Sequence, residues 1–351
     1  MLVGLSLAAQ LPAGASPIIL ADSGWLMTQP ANRSISVLGC DLITFSDALN
    51  QDPSGTSRWP LYLAYMAEFT AGTQYLTAIH ELGHARIVSM LGGQSHFDGQ
   101  CSSWLTYVTQ HRLFRCGTTY WVLPATPSPQ RHVMLAAAGI NAETYFSEES
   151  AQQPVTVANL LFSVPARLAA TTYRVGGALS DLTAMARDYH SMGWRLGSDE
   201  LRAWQLLALA GSATVLRPVA SLFGHDLPFW WPEAFAYYNA PGVSLRLRFH
   251  WETNSGLQFS LSPEIIVHGK PEGDMQIGLS TEAGQGRILR MVVVASPHGL
   301  GGSVSCGQQF GSMTVRIGAE MCNPRTLSGA REAGSFRRTT IEPWLQIGRR
   351  L

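Results

Sequence analysis

The pattern of apolar residues changes near residue 240, and this change constrains the fold more than any other feature of the sequence. Before it, small and aliphatic residues recur with the spacing of helices. After it, apolar and polar residues alternate, as in 243–251, 257–262, 275–280 and 313–320. Alternation with a period of two, interrupted by Gly- and Pro-containing turns, indicates successive antiparallel hairpins. We therefore predict an α+β protein, with a helical domain over 58–240 and an antiparallel β domain of about seven or eight strands over 241–351.

Two architectures of the β domain agree with this alternation. An antiparallel sheet that packs on one side carries one apolar and one polar face, and so does a small outer-membrane β-barrel. The aromatic cluster at residues 229–238 fits either a membrane-interface belt or a seam between two packed domains. Both architectures stay open at this point.

The beginning of the chain suggests export. Residues 2–11 form a short apolar run, and Ala13-Gly14-Ala15 follows as an A-x-A cleavage pattern, although no positive residue precedes the run. We predict a signal peptide over 1–15 and an N-terminal extension over 16–57, with a buried N-terminal strand or helix as the alternative. This interpretation predicts a location in the bacterial cell envelope, either the periplasm or the outer membrane.

The cysteines agree with an oxidising compartment. Cys101 and Cys116 are 15 residues apart, and Cys306 and Cys322 are 16 apart, so each pair is local in the sequence. Local pairs in an exported chain predict the disulfides Cys101–Cys116 and Cys306–Cys322.

The charge content narrows the class of partner. Charged residues make up 14% of the chain, and 24 basic residues balance 24 acidic ones. A typical soluble domain has about 25% charged residues, so a secreted or membrane-associated protein is favoured. Nucleic acid is not an expected partner, because binding to phosphates requires clustered cations.

The motif His80-Glu81-Leu82-Gly83-His84 carries the chemistry. Residues four apart lie on the same face of a helix, so His80 and His84 can bind one metal ion together. A bound Zn²⁺ ion lowers the pKa of its water from 15.7 to about 7, and Glu81 is placed to accept the proton. The motif predicts a zinc site with Glu81 as the catalytic base.

The segment 77–93, TAIHELGHARIVSMLGG, resembles the active-site helix of the zincin metallopeptidases. It is most similar to membrane-associated families, namely the CAAX-prenyl-protease-like and site-2-protease-like peptidases. The resemblance implies a helical zincin-like domain, a Zn²⁺ cofactor and a protein or peptide substrate. Ile87 and Met90 stand where the metzincin pattern has its glycine and third histidine, so the third ligand is expected to be a carboxylate from another helix.

Two carboxylates compete for this third position. Glu143, in the small and apolar segment Gly139-Ile140-Asn141-Ala142-Glu143, suits the His₂Glu arrangement of gluzincins. Asp181 suits the Asp-ligand arrangement of intramembrane zincins. We expect Glu143 to be the ligand, because a carboxylate in such a segment needs a partner to compensate its burial. The other carboxylate is then a candidate acceptor for an imidazole N–H.

The sequence leaves two functions to weigh. The first is a zinc-dependent endopeptidase of the bacterial envelope, in which Glu81 assists the attack of zinc-bound water on a peptide bond. The second is a non-catalytic component of an envelope or secretion assembly, in which zinc stabilises the fold. Three protein ligands and an open position favour the enzyme, whereas four protein ligands favour the structural role.

Overall fold

The computed structural model describes residues 18–22, 40, 41, 43, 59–98, 118–151, 157–172, 180–228, 230–253, 256–283, 287–327 and 339–349. The helices are α1 (Trp59–Met90), α2 (Pro129–Ser150), α3 (Val157–Arg167), α4 (Ala169–Thr172), α5 (Asp181–Ser191), α6 (Ser198–Ala210) and α7 (Ala213–Leu222). The strands are β1 (Ile18–Asp22), β2 (Gln94–Asp98), β3 (Thr118–Val122), β4 (Glu233–Asn239), β5 (Gly242–Glu252), β6 (Leu257–Gly269), β7 (Gly273–Ala283), β8 (Arg287–Ser296), β9 (Gly299–Phe310), β10 (Met313–Cys322) and β11 (Thr340–Arg349). The α+β class is confirmed, since these helices precede the run of strands β4–β11. The predicted signal peptide, residues 1–15, lies outside the described residues.

Among the described residues, nine strands form one antiparallel sheet in the order β1-β11-β10-β9-β8-β7-β6-β5-β4. From β4 to β11, each strand pairs with the next one in the chain, as expected for successive hairpins. Strands β1 and β4 stand at the two ends of this order and do not pair with each other. The described strands therefore form an open sheet, which is the first of the two predicted architectures. Part of the predicted N-terminal extension, Ile18–Asp22, supplies β1. The predicted domain border at 240/241 falls in the turn between β4 and β5.

Helical side chains cover the outer edge of β4. The amide of Asn141 on α2 donates to the carbonyl of Tyr238 (2.7 Å) and accepts from its N–H (3.0 Å). Ser212, between α6 and α7, makes the same two kinds of contact with Ala234, at 3.1 and 2.9 Å. These side chains take the place of a neighbouring strand, because an uncovered edge would leave backbone groups without partners.

The helices and the first hairpin of the sheet share one hydrophobic core. Its members include Ile140 of α2, Tyr189 of α5, Leu201 of α6, and Tyr238 and Val243 of the β4–β5 hairpin. The hydroxyl of Tyr238 donates to the carbonyl of Leu201 at 2.6 Å, so the polar tip of this buried ring is satisfied within the core. The helical part is therefore anchored directly on the sheet.

Helices α6 and α7 meet at a bend of 54°. Among the described helices, none has by itself the length and apolar composition of a membrane span, and only the bent pair α6–α7 meets that test when its two members are taken together.

The prediction of a Cys306–Cys322 disulfide is wrong for this structure, in which neither cysteine forms one. Cys306 lies on β9 opposite Ile317 of β10, whereas Cys322 lies five residues further along β10. Five residues of strand span about 16 Å, and a disulfide requires Cα atoms within about 7 Å. Proximity in the sequence failed here because the strand register, and not the loop length, sets the distance. Cys101 and Cys116 lie outside the described residues.

Candidate metal site

Glycines allow helices α1 and α2 to approach each other closely at the HExxH motif. A Cβ atom on Gly139 would lie 2.4 Å from the Cε1 atom of His80, and one on Gly83 would lie 2.6 Å from the carbonyl oxygen of Ala138. Neither position accommodates a side chain, since real Cβ contacts do not approach this closely. The His80 ring consequently lies directly against the backbone of α2.

Three ligand atoms from two helices converge beside this contact. The Nε2 atom of His80 lies 3.0 Å from Oδ2 of Asp181 and 3.1 Å from Nε2 of His84. The third distance, between Nε2 of His84 and Oδ2 of Asp181, is 3.3 Å. Among the described residues, these three form the group that could hold a metal ion. Two side chains come from α1, and the third comes from the first residue of α5.

The hydrogen bonds of the other ring nitrogens orient both imidazoles. Nδ1 of His84 lies 2.8 Å from the carbonyl oxygen of Leu135, which can only accept, so Nδ1 carries the hydrogen. Nδ1 of His80 lies 2.8 Å from a carboxylate oxygen of Glu143 and donates to it. In the neutral imidazoles, both Nε2 atoms then present lone pairs toward the Asp181 carboxylate. Three electron-pair donors that face one another can share a proton or bind a metal cation.

The separations match tetrahedral zinc coordination. Bonds from zinc to nitrogen or oxygen are about 2.0–2.2 Å long, which places tetrahedral ligand atoms about 3.3–3.6 Å apart. The observed distances of 3.0–3.3 Å require only a small expansion. Two imidazoles and one carboxylate are also a ligand set that Zn²⁺ uses in catalytic sites.

The charges of the site favour the ionised forms of both His84 and Asp181. Burial lowers the pKa of His84, but the carboxylates of Asp181 and Glu81 oppose this and raise the pKa to about 9. Burial raises the pKa of Asp181, whereas His84 and hydrogen bonds from both imidazoles hold that pKa well below its usual range. Without a metal, the cluster therefore retains a proton among its donor atoms, where a metal cation would replace it.

Asp181 occupies the first turn of α5, where the unpaired N–H groups of a helix favour an anion. Ser180 caps this helix by accepting from the N–H of Thr183. The Asp181 side chain is 20% exposed, against 3% for His80 and 9% for His84. Solvent therefore reaches the site from the Asp181 side.

Glu81 is buried, at 8% exposure, and its charge contributes to the raised pKa of His84. Its carbonyl oxygen accepts a hydrogen bond of 3.2 Å from the hydroxyl of Thr119 on β3. The hairpin formed by β2 and β3 thus lies against the helix turn that carries the motif. This arrangement holds the Glu81 backbone next to the metal-binding face.

The structure brings Asp181, rather than the expected Glu143, to the two Nε2 atoms. Asp181 points at the Nε2 atoms, whereas Glu143, fully buried at 0% exposure, lies behind His80 and accepts from its Nδ1 atom. The reason is spatial: Glu143 lies one turn after Gly139, and the His80 ring separates it from His84. Its position is the one that an outer carboxylate takes in carboxylate–histidine–zinc arrangements.

Sequence reasoning missed two contributors to the site. Gly139 makes room for His80, and Leu135 supplies a backbone carbonyl to His84. The run of small residues at 136–139 was the signal for a close helix crossing. The Leu135 carbonyl depends on a tertiary contact and leaves no signal in the sequence. A separate carboxylate–imidazole pair, Asp188 with His132, joins α5 to α2.

Comparison with known proteins adds no assignment: no family model, curated protein or solved structure matches this chain. The interpretation of the site consequently rests on its own geometry and on the motif.

Proposed function

We propose that this protein is a zinc-dependent endopeptidase. The observation that carries the proposal is the convergence of two imidazole nitrogens and one carboxylate oxygen at 3.0–3.3 Å, next to the buried Glu81. The apolar run and A-x-A pattern at the N-terminus motivate placing this activity in the bacterial envelope.

The number of ligands favours catalysis over a purely structural role. The described residues bring three ligand side chains to the site, whereas structural zinc sites are almost always closed by four. The position of the partly exposed Asp181 leaves a route for a water molecule and a substrate. No described contact specifically supports the alternative of an assembly component.

Each side chain has a distinct role in this proposal. His80, His84 and Asp181 would hold the ion, and Glu143 and the Leu135 carbonyl keep the two imidazoles in the tautomer that binds a metal. A bound Zn²⁺ ion supplies Lewis acidity, which lowers the pKa of water and polarises a carbonyl group. Glu81 accepts a proton from the attacking water and transfers it to the departing amine, as a general base and then a general acid.

The β2–β3 hairpin is the element that we propose positions the substrate. It contacts the Glu81 turn through Thr119 and exposes Tyr120, Trp121 and Val122. Within the described residues these two strands pair only with each other. An extended peptide can add to such an edge through main-chain hydrogen bonds, with alternate side chains providing specificity.

The test separates metal binding from turnover. Zinc-loaded wild-type protein is expected to bind about one equivalent of zinc and to cleave fluorescein-labelled casein. Glu81→Gln should keep the zinc and the fold but lose about 10²–10⁴-fold in turnover, since glutamine cannot accept the proton. His80→Ala should lose the metal, whereas the exposed Glu252→Gln should behave as wild type in both measurements.

Two results would contradict the proposal. One is wild-type protein that binds zinc stoichiometrically but leaves casein and a mixture of fluorogenic peptides intact. The other is a Glu81→Gln variant that cleaves as fast as wild type.

A further inference from the structure

The strand register places the exposed apolar residues of the sheet on a single face. Ile277 pairs with Val293, Met291 with Val304, and Ile317 with Leu345, and these pairs belong to one alternating set across β7–β11. Ile277, Val293, Val304, Ile317 and Leu345 are between 39 and 55% exposed. We call the surface that these strands present on this side the apolar face.

The opposite face of β7–β11 carries buried polar side chains. Asp274, Ser305, Thr314 and Gln346 are all 9% exposed or less. In a soluble antiparallel sheet with one solvated side, the apolar face packs on the core and the polar face meets water. In this sheet the apolar face is the exposed one and the polar face is buried. The apolar face is therefore suited to contact with an apolar partner rather than with water.

Charge is confined to one end of the apolar face. Over the described residues of β5–β11, the alternating set that forms this face contains only two charged side chains, Arg287 and Arg349. Arg287 lies opposite Gln308, and Arg349 lies opposite Met313, which pairs with Phe310 two residues beyond Gln308. Both arginines are therefore at the same end of the strands.

We propose that the apolar face contacts the hydrocarbon of a lipid bilayer, with the strand ends that carry Arg287 at the level of the headgroups. Strands β5–β11 contain 10 to 13 residues, and a tilted strand needs about 9–11 to cross the hydrocarbon. Long basic side chains place their charge at the interface while their stems cover apolar surface.

Lipid fits this face better than a protein does. A protein interface makes about one hydrogen bond per 100–200 Å² and has a polar rim. From β7 to β11, the rows through Ile277–Val293 and Leu279–Met291 contain only apolar residues on this face, which offer no N–H or O–H donor for such bonds. Hydrocarbon requires none, and strands β7–β10 are paired with a neighbouring strand on each side, which satisfies backbone groups as a bilayer demands.

Cys306 provides a direct probe, because it lies on the apolar face between Leu289 and Ile317 and is exposed. The full-length protein is transferred from detergent into phosphatidylcholine vesicles, or into detergent-free buffer as the reference. A water-soluble maleimide is then added, and mass spectrometry follows labelling at Cys306. We expect the protein to float with the vesicles, also at high salt, and labelling to slow at least about 10-fold, because a lipid-covered thiol meets little water or reagent.

A pair of arginine variants locates the contact. Ile277→Arg should lower the vesicle-bound fraction at least about 10-fold, since a charge deep in the hydrocarbon is costly. Val122→Arg is the control: Val122 is 73% exposed but lies on β3, outside the sheet, and this variant should bind as wild type. Circular dichroism and zinc content verify that both variants fold.

The outcomes distinguish a lipid bilayer from a second copy of the protein as the partner of the apolar face. Wild-type protein that stays in solution with Cys306 labelled equally fast with and without vesicles overturns the proposal. A discrete dimer that protects Cys306 in the absence of lipid overturns it as well, and would make a second copy the occupant. Release from the vesicles by salt alone would restrict the contact to the headgroups and contradict insertion.

Discussion

Two clusters of ionisable side chains lie against helix α2 and differ in how their charges are compensated. At the metal site, His80, His84 and Asp181 present three electron-pair donors to one another. One and a half turns beyond Glu143 on α2, Glu148 forms an ion pair with Arg246 of the sheet. Each cluster contacts α2 through a buried glutamate, Glu143 in the first and Glu148 in the second, so their difference lies in the chemistry of the other groups.

The second cluster is complete without a ligand. Arg246 contacts Glu148 at 3.0 Å and Glu264 at 2.6 Å, and Arg248 lies 3.6 Å from Glu148. Two guanidinium groups thus face two carboxylates, and the hydroxyl of Tyr237 donates to Glu148. Burial of charge is tolerated when it is paired and hydrogen-bonded in this way.

The comparison separates a structural cluster from a ligand site by the balance of charge. The Arg246 cluster joins α2 to the sheet, and its charges are balanced without a bound ion. The His80 cluster has negative charge and lone pairs in excess, and a divalent cation would supply what it lacks. The following predictions test this distinction.

The largest expected effect is loss of the metal from Asp181→Asn. The amide has no negative charge and is a poor zinc ligand, so stoichiometric zinc should be lost while the buried imidazoles remain. Asp188→Asn is the matched control: it lies two turns along the same helix and contacts His132 instead. Elemental analysis after dialysis measures both; equal zinc in the two variants would contradict the assigned ligand set.

Glu148→Gln should destabilise the fold without affecting the metal. Removing one charge from a buried network typically costs about 3–5 kcal/mol of unfolding free energy. Glu149→Gln is the control, because the Glu149 side chain is 21% exposed and its ion pairs with Arg248 and Arg290 are 3.8 and 3.9 Å long; partly exposed pairs of this length contribute at most about 1 kcal/mol. Urea unfolding gives the two values, and similar losses would show that the network is not the source of stability.

Acid should weaken the wild-type protein more than Glu148→Gln. Burial raises the pKa of Glu148, but Arg246 and Arg248 outweigh it and hold the pKa below the ordinary value of 4.5. Because the pKa of Glu148 is lower in the folded state, its contribution to the free energy of unfolding is complete above pH 4.5. This contribution is lost as the pH falls through the folded-state pKa. The difference in unfolding free energy between wild type and variant should therefore shrink below pH 4.5; a constant difference would contradict this assignment.

Gly139→Ala should disturb the metal site by steric overlap. The new Cβ would lie 2.4 Å from the His80 ring, and overpacking of this kind costs about 1–3 kcal/mol. We expect weaker zinc binding together with this loss of stability. Gly211→Ala is the control, because its Cβ would meet its nearest atom at an ordinary 3.4 Å; calorimetric zinc titration that finds both variants equal to wild type would contradict the close contact.

The smallest expected effect is that of Glu143→Gln. Glutamine can still accept from His80 Nδ1, but without the charge that strengthens the imidazole as a ligand. Changes to such outer partners cost about 10–100-fold in metal affinity. Competition with a chelator measures this loss; complete loss of zinc from Glu143→Gln, with zinc retained by Asp181→Asn, would restore Glu143 as the direct ligand.

Features that depend on local periodicity were predictable from the sequence. The pairing of His80 and His84 on one helix face follows from a spacing of four residues, and the hairpins β5–β11 follow from alternation. The α+β class followed from the same two periods. The Cys306–Cys322 bridge was mispredicted, because nearness along the chain says nothing about the register of two long strands.

The sequence alone determined the two histidines, the glutamate between them and the alternation of the strands, because each is set by geometry within a few residues. Only the tertiary structure decided that Asp181, 97 residues beyond His84, meets the imidazoles while Glu143 supports one of them from behind. It also decided that the polar face of the sheet is buried and the apolar face exposed. Alternation makes two faces, but which of them is covered depends on packing between elements that are distant in the chain.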